Sequence, residues 1–98
     1  MQFSVKVSNY QKNTMLNICD VELLGKQISQ DELNIKISES YYGEKLVDKE
    51  EAKSLLQNYS IINMVGKNTV SLCIELGLGS ESAIKTISDI PFLIIFKI

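Results

Sequence analysis

Histidine and tryptophan are missing from this 98-residue chain, arginine is missing too, and proline occurs once. Without histidine the chain cannot build a Ser–His or Cys–His nucleophile pair, an imidazole metal ligand or an imidazole switch near neutral pH. Without arginine, all ten basic residues are lysines. Lysine binds as a point charge and not as a planar fork, which weakens any model built on bidentate reading of phosphate or guanine, and DNA is not an expected partner. Cys19 and Cys73 lie far apart with no CxxC spacing, too few for a structural zinc site. They are expected to be small buried hydrophobes in a reducing cytosol, with a disulfide as the alternative. No metal site, cofactor motif or catalytic set is legible. The start, Met1 to Val7, lacks a basic region followed by a long apolar one, and the apolar end from Pro91 to Ile98 is far short of a bilayer span of about 20 residues. A cytoplasmic protein without a membrane partner is expected.

What is present fits one folded unit over residues 1–98. A hydrophobic content of 45% supports a core without staples, and a net charge of −2 gives no long-range field toward polyanions. Phe3, Val5 and Val7 alternate with polar residues, and Leu16 and Ile18 resume the alternation after a polar stretch at Asn9–Asn13. This predicts an antiparallel hairpin with a five-residue loop. Asp20 is placed to cap a short helical turn ending at Gly25, and Leu33, Ile35 and Ile37 predict a third strand closed by Tyr41-Tyr42-Gly43. Asp48 with Glu51 three residues on reads as a capping box, and Ala52, Leu55, Leu56 and Tyr59 line one face of the helix that follows. Val47 is placed as a staple to Ala52.

The run Ile61-Ile62-Asn63-Met64-Val65 is continuous enough that periodicity alone does not assign it to strand or helix. After Gly66, Asn68 is a candidate cap for a helix bearing Val70, Cys73, Ile74 and Gly77 on one face, with stops at Gly77 and Gly79. Pro91 is expected at a strand start or at a bend between two short strands. Phe92 to Ile98 is β-branched and guarded only by Lys97, so it should be paired or covered, within the monomer or by a second subunit.

Gly66-Lys67 superficially suggests a nucleotide loop. That loop needs glycine where Ile61 stands and Ser or Thr where Asn68 stands, so it is rejected. A weaker expectation remains. A glycine turn entering a helix aims free amides outward, and Lys67 and Thr69 would add contacts to an anion such as a backbone phosphate. Against this stands the plain reading of a tight turn and a cap. Glu44, Asp48, Glu50 and Glu51 are interspersed with Lys45, Lys49 and Lys53, a solvated face with ion pairs. Tyr41 and Tyr42 are candidates for stacking on single-stranded nucleic acid. The competing reading packs one inward and leaves the other on the rim.

The series Cys19-Asp20, Leu23-Leu24-Gly25-Lys26, Tyr41-Tyr42-Gly43-Glu44-Lys45-Leu46-Val47-Asp48, Asn63-Met64-Val65-Gly66-Lys67 and Glu75-Leu76-Gly77-Leu78 resembles a small archaeal family known as domain of unknown function 424. The resemblance spans nearly the whole chain. It implies a single-domain α+β cytosolic protein of archaea whose relatives keep company with translation genes, and it implies no particular activity. This chain has Asp89-Ile90-Pro91-Phe92 where the family pattern suggests a Gly-(Ile/Val)-Pro-His-like turn, a further argument against histidine chemistry.

The expectation is therefore an α+β domain with an antiparallel or mixed sheet of about five strands and two main helices. Its leading function is a non-enzymatic binding module in translation, contacting RNA, the ribosome or a translation protein. Gly66, Lys67, Asn68 and Thr69 are the first candidate contacts, with Lys26, Tyr41 and Tyr42 second. The weak net charge favours a protein or composite surface over free RNA. The alternative is a small-molecule-binding protein or enzyme with a pocket near Asp20, Asn63 and Glu75, without a cofactor. Pairing of subunits through the C-terminal strand is the third expectation.

Overall fold

The computed structural model describes residues 1–97. Alternation at the N-terminus gives β1 (Gln2–Tyr10) and β2 (Asn13–Asp20), paired antiparallel from Phe3↔Asp20 to Tyr10↔Asn13. Their turn is two residues, not five. Gln11 and Lys12 both have positive φ, 47° and 71°. This mirror-type turn matches the twist of the strands, so the polar residues Asn9, Tyr10 and Asn13 extend the ladder instead of looping out. Asp20 caps nothing in the 3-10 turn Val21–Leu23 that follows it.

The expected third strand exists as β4 (Leu33–Lys36), but it pairs with β3 (Gln27–Gln30) in a separate two-stranded ribbon. Tyr41 and Tyr42 fall in the short helix α1 (Glu39–Tyr42). The expected loop after Gly43 includes an edge strand, β5 (Lys45–Asp48), antiparallel to β1. The helix α2 (Lys49–Asn58) begins where the capping box placed it, with the Glu51 amide donating to Asp48 Oδ1 at 2.9 Å. The ambiguous apolar run is strand β6 (Ile61–Val65), parallel to β2, and it feeds α3 (Lys67–Glu75) through Gly66. A 3-10 turn at Glu81–Ala83 leads to the hairpin of β7 (Lys85–Ile87) and β8 (Ile90–Phe96). The main sheet is mixed and six-stranded, in the order β5-β1-β2-β6-β8-β7.

Pro91 is the second residue of β8. Its carbonyl accepts from the Gly66 amide at 2.9 Å, while the Gly66 carbonyl accepts from Val70 in α3 at 2.9 Å. The hydrogen that proline lacks is thus not missed, because its natural acceptor is already engaged by the helix.

The two faces of the sheet are covered unequally. One face carries Phe3, Val5, Leu16, Ile18, Val47, Ile62, Met64 and Leu93, packed with Ala52 and Leu56 of α2 and Val70, Leu72 and Cys73 of α3. Val47 and Ala52 share this cluster, as the staple requires. On the other face the ribbon and α1 cover only one end, where Cys19 and Val65 pack with Ile28, Ile37 and Tyr42. Cys19 and Cys73 therefore lie in separate cores on opposite sides of the sheet, both as buried free thiols. Beyond the buried Asn17 and the half-buried Asn63, that second face carries Met15, Ile94 and Phe96, and no described helix or ribbon covers Ile94 and Phe96. Ile94 and Phe96 are 48% and 54% exposed. Ile98 lies outside the described residues. Among those residues no helix is long and apolar enough to cross a membrane.

Candidate functional site

β2 and β6 run parallel as neighbours, so their carboxyl ends, Asp20 and Val65-Gly66, lie side by side at the amino end of α3. The Asp20 side chain is 3% exposed. Its Oδ1 accepts from the Thr69 amide at 2.8 Å and the Thr69 hydroxyl at 2.7 Å, and its Oδ2 accepts from the Asn68 amide at 3.0 Å. The helix cap is therefore supplied by a strand 48 residues earlier, and Asn68 contributes its amide instead of capping with its side chain. Gly66 makes the approach possible. With φ at 111°, a Cβ there would lie 2.4 Å from Asp20 Cγ.

The amides that the sequence offered to an external anion thus already hold an internal one. Outside them is an open cleft of about 320 Å³ lined by Asp20, Glu22, Leu23, Lys67, Asn68, Asp89, Ile90 and Pro91. Three carboxylates surround the single lysine, a lining that disfavours a phosphate. Of the sequence candidates, Gly66, Lys67, Asn68 and Thr69 meet here, with Lys67 exposed and Thr69 buried. Lys26 and Tyr41, both exposed, and Tyr42 do not line this cleft. Tyr42 is buried at 8% exposure while Tyr41 is 61% exposed, so the pair splits into an inward ring and a rim ring, and Tyr42 offers no stacking face. Asp20, Asn63 and Glu75 form no common pocket. Asp20 sits at the helix-covered face, Asn63 points to the opposite face, and Glu75 is exposed near the far end of α3.

A second constellation was not anticipated. Asn17 and Asn63 face each other across the parallel pair β2 and β6. Asn63 Nδ2 donates to Tyr42 Oη at 2.8 Å and to Asn17 Oδ1 at 3.3 Å, and Asn17 Nδ2 donates to Ser8 Oγ at 2.9 Å. Ser4 Oγ closes the row by donating to the Tyr42 carbonyl at 2.6 Å. This row bounds the second core, and beyond it lies the open half-face. There Tyr10, at the hairpin tip, reaches over to Phe96 with ring centroids 6.0 Å apart. A groove of about 290 Å³ runs among Tyr10, Met15, Asn63, Lys85, Phe92 and Ile94. The signal in the sequence was the asparagine breaking each of two apolar runs, Met15-Leu16-Asn17-Ile18 and Ile61-Ile62-Asn63-Met64.

Burial pushes the Cys19 thiol up to about 12, helped by the neighbouring charges of Asp20 and Glu22. It also pushes the Tyr42 phenol up to about 12 against the lowering effect of the Asn63 hydrogen bond. Cys73 is raised by burial, with Lys97 opposing. These groups are neutral when protonated, so on raising pH the unfolded chain releases its protons first. Their contribution to stability is complete below pH 9.0 and is lost as pH rises from there toward about 12. Urea midpoints should fall steadily from pH 9.0 upward over about 2 units, and Tyr42→Phe should remove the part of the fall that starts near 10.0. A midpoint that stays level over that range would contradict the burial argument.

A family model described as protein of unknown function (DUF424) matches residues 8–98. No curated protein matches the sequence. The fold is similar to the crystal structure of an uncharacterized conserved protein from Methanopyrus kandleri, at 21% identity and a TM-score of 0.77, over 100% of this chain and 95% of that one. At that identity the likeness speaks for the fold.

Proposed function

The chain belongs to the DUF424 family of proteins of unknown function, and from that premise we propose that it is a non-enzymatic binding module of the translation apparatus. The observation that carries this reading is the uncovered half-face of the sheet, where Ile94 and Phe96 stand exposed beside Tyr10 and Met15. Large apolar side chains gathered on one rigid sheet suit a docking surface, since a solvated face of a monomer is usually polar. The buried groups that chemistry would recruit are committed elsewhere. Asp20 accepts three hydrogen bonds, Tyr42 belongs to the polar row, and Cys19 is held protonated. The apolar lining, with Lys85 at its rim, favours a ribosomal protein or composite surface over free RNA. The translation setting comes from the family resemblance. Lys67, Lys26 and Tyr41, all exposed, lie toward the other end of β2 and β6 and would belong to a separate contact.

The test is co-sedimentation of the purified chain with archaeal ribosomes at low and high salt. The chain should pellet with ribosomes at low salt, and Phe96→Ala should reduce the bound fraction about tenfold while leaving the melting midpoint nearly unchanged. No pelleting at low salt, or equal pelleting of Phe96→Ala, would overturn the proposal.

A further inference from the structure

The register of β8 leaves part of its edge open. The Gly66 amide donates to the Pro91 carbonyl at 2.9 Å, and the Lys97 amide donates to the Ser60 carbonyl at 2.8 Å. In an antiparallel ladder alternate residues bond to the same neighbour, so Pro91, Leu93, Ile95 and Lys97 turn their backbone groups toward β6. Phe92, Ile94 and Phe96 turn theirs the other way. Phe92 meets Lys85 of β7, where the pairing ends; before it, Glu81 and Ile84 line a groove with Ser71 and Glu75 of α3, and Ala83 lines the groove beside Ile94 without pairing to it. Among the described residues, the amides and carbonyls of Ile94 and Phe96 have no partner strand.

Edges of this kind are normally blunted by charge. The outer strands β5 and β7 each carry lysine, Lys45 and Lys85. The lysine nearest the open stretch of β8 is diverted. Lys97 Nζ donates to the Leu56 carbonyl at the end of α2, 2.6 Å away, on the helix side of the sheet. On the face that Ile94 and Phe96 share, the charge nearest the edge is Lys85, which stands opposite Phe92 at the β7 end of the groove.

We propose that two copies of this chain associate edge to edge through this stretch of β8, joining two six-stranded sheets into one. The stretch is complementary to itself. A twofold axis through Ile95 sets Ile94 opposite Phe96 of the second copy, and Phe96 opposite Ile94. Both residues direct their backbone groups outward, so each opposed pair exchanges both ladder bonds. Their side chains lie on one face of both copies, so the two exposed apolar pairs become one continuous strip of cross-strand contacts. A foreign peptide would need its own matching register, which a second copy supplies by symmetry. The overlap is short against the roughly 1,200–2,000 Å² of a standard stable interface, so the dimer is weak, with a dissociation constant on the order of 100 µM.

Light scattering or sedimentation of the full chain from about 10 µM to about 1 mM brackets that constant. The average mass should climb toward twice the monomer mass, and Ile94→Lys should remain monomeric with an unchanged melting midpoint. Under mild oxidation Ile95→Cys should give a covalent dimer, since residue 95 faces its own copy, and Leu46→Cys on the opposite edge of the sheet should not. A monomeric mass throughout, an Ile94→Lys variant that associates as the native chain does, or equal cross-linking of the two cysteine variants each overturns the proposal. Ribosome contact can persist in any of these outcomes, so the two ideas fail separately.

Discussion

Asp20→Ala should lower the unfolding free energy by about 3–5 kcal/mol, a large share of the roughly 5–15 kcal/mol of a domain this size. The carboxylate accepts two amides and one hydroxyl at 2.7–3.0 Å in a site 3% exposed to solvent. Hydrogen bonds to a charged group are worth about 1.5–3 kcal/mol each, and loss of a helix cap alone costs about 0.5–2 kcal/mol. The contributions are not additive, since one helix end is freed once. The cost is nevertheless large, because the truncation leaves the buried Thr69 hydroxyl and amide without partners. In a melt the midpoint should drop by roughly 15–30 °C. Asp20→Asn should recover only part of the loss, because one of its two terminal atoms is then a donor facing a donor. Urea unfolding followed by circular dichroism measures both. An Asp20→Ala variant within about 1 kcal/mol of the native chain would show that the cap is incidental.

Gly66→Ala is the second large effect, expected at about 3 kcal/mol or more. Two costs combine. The backbone angles, φ 111° and ψ 154°, belong to a region that residues with a Cβ avoid. The new methyl would also lie 2.4–2.7 Å from the Asp20 carboxylate. The second cost vanishes when Asp20 is truncated, so Gly66→Ala should cost less in the Asp20→Ala background, leaving about 1–3 kcal/mol of backbone strain. A double-mutant cycle reads this coupling directly. Strict additivity would mean that the strand and the helix entrance are not in contact. It also follows that Gly66→Ala is a poor probe of ligand binding at this entrance, whereas exposed Lys67 can be changed without disturbing the cap.

The helix α2 was legible because its signals are local: Asp48 meets the amide of Glu51 three residues on, and Ala52 and Leu56 are buried on the predicted face. β3 was not legible. Gln27-Ile28-Ser29-Gln30 has one apolar residue, and it is a strand because β4 pairs with it. β5 was hidden for the same reason, with an exposed Lys45 and Leu46 held in place by β1. At the entrance to α3 the glycine turn was legible and the capping residue was not. Asn68 looked like a cap because it is adjacent, and the competing acceptor, Asp20, arrives only through the parallel pairing of β2 with β6. The open half-face was invisible because each of its strands looks ordinary alone. Only the strand order shows that Tyr10, Met15, Ile94 and Phe96 lie together while the ribbon covers the other end.

The parallel pairing of β2 with β6 also fixes an order of events during synthesis. A chain emerging N-terminus first can zip the hairpin of β1 and β2 early, because its contacts are local. The partner strand of β2 begins at Ile61, and the helix that Asp20 caps begins at Lys67. Until about two thirds of the chain has been made, Leu16 and Ile18 have no neighbouring strand on that side and Asp20 has no helix to hold. Closing the intervening segment then brings the central strands and the cap together in one step, so the middle of the sheet is completed late.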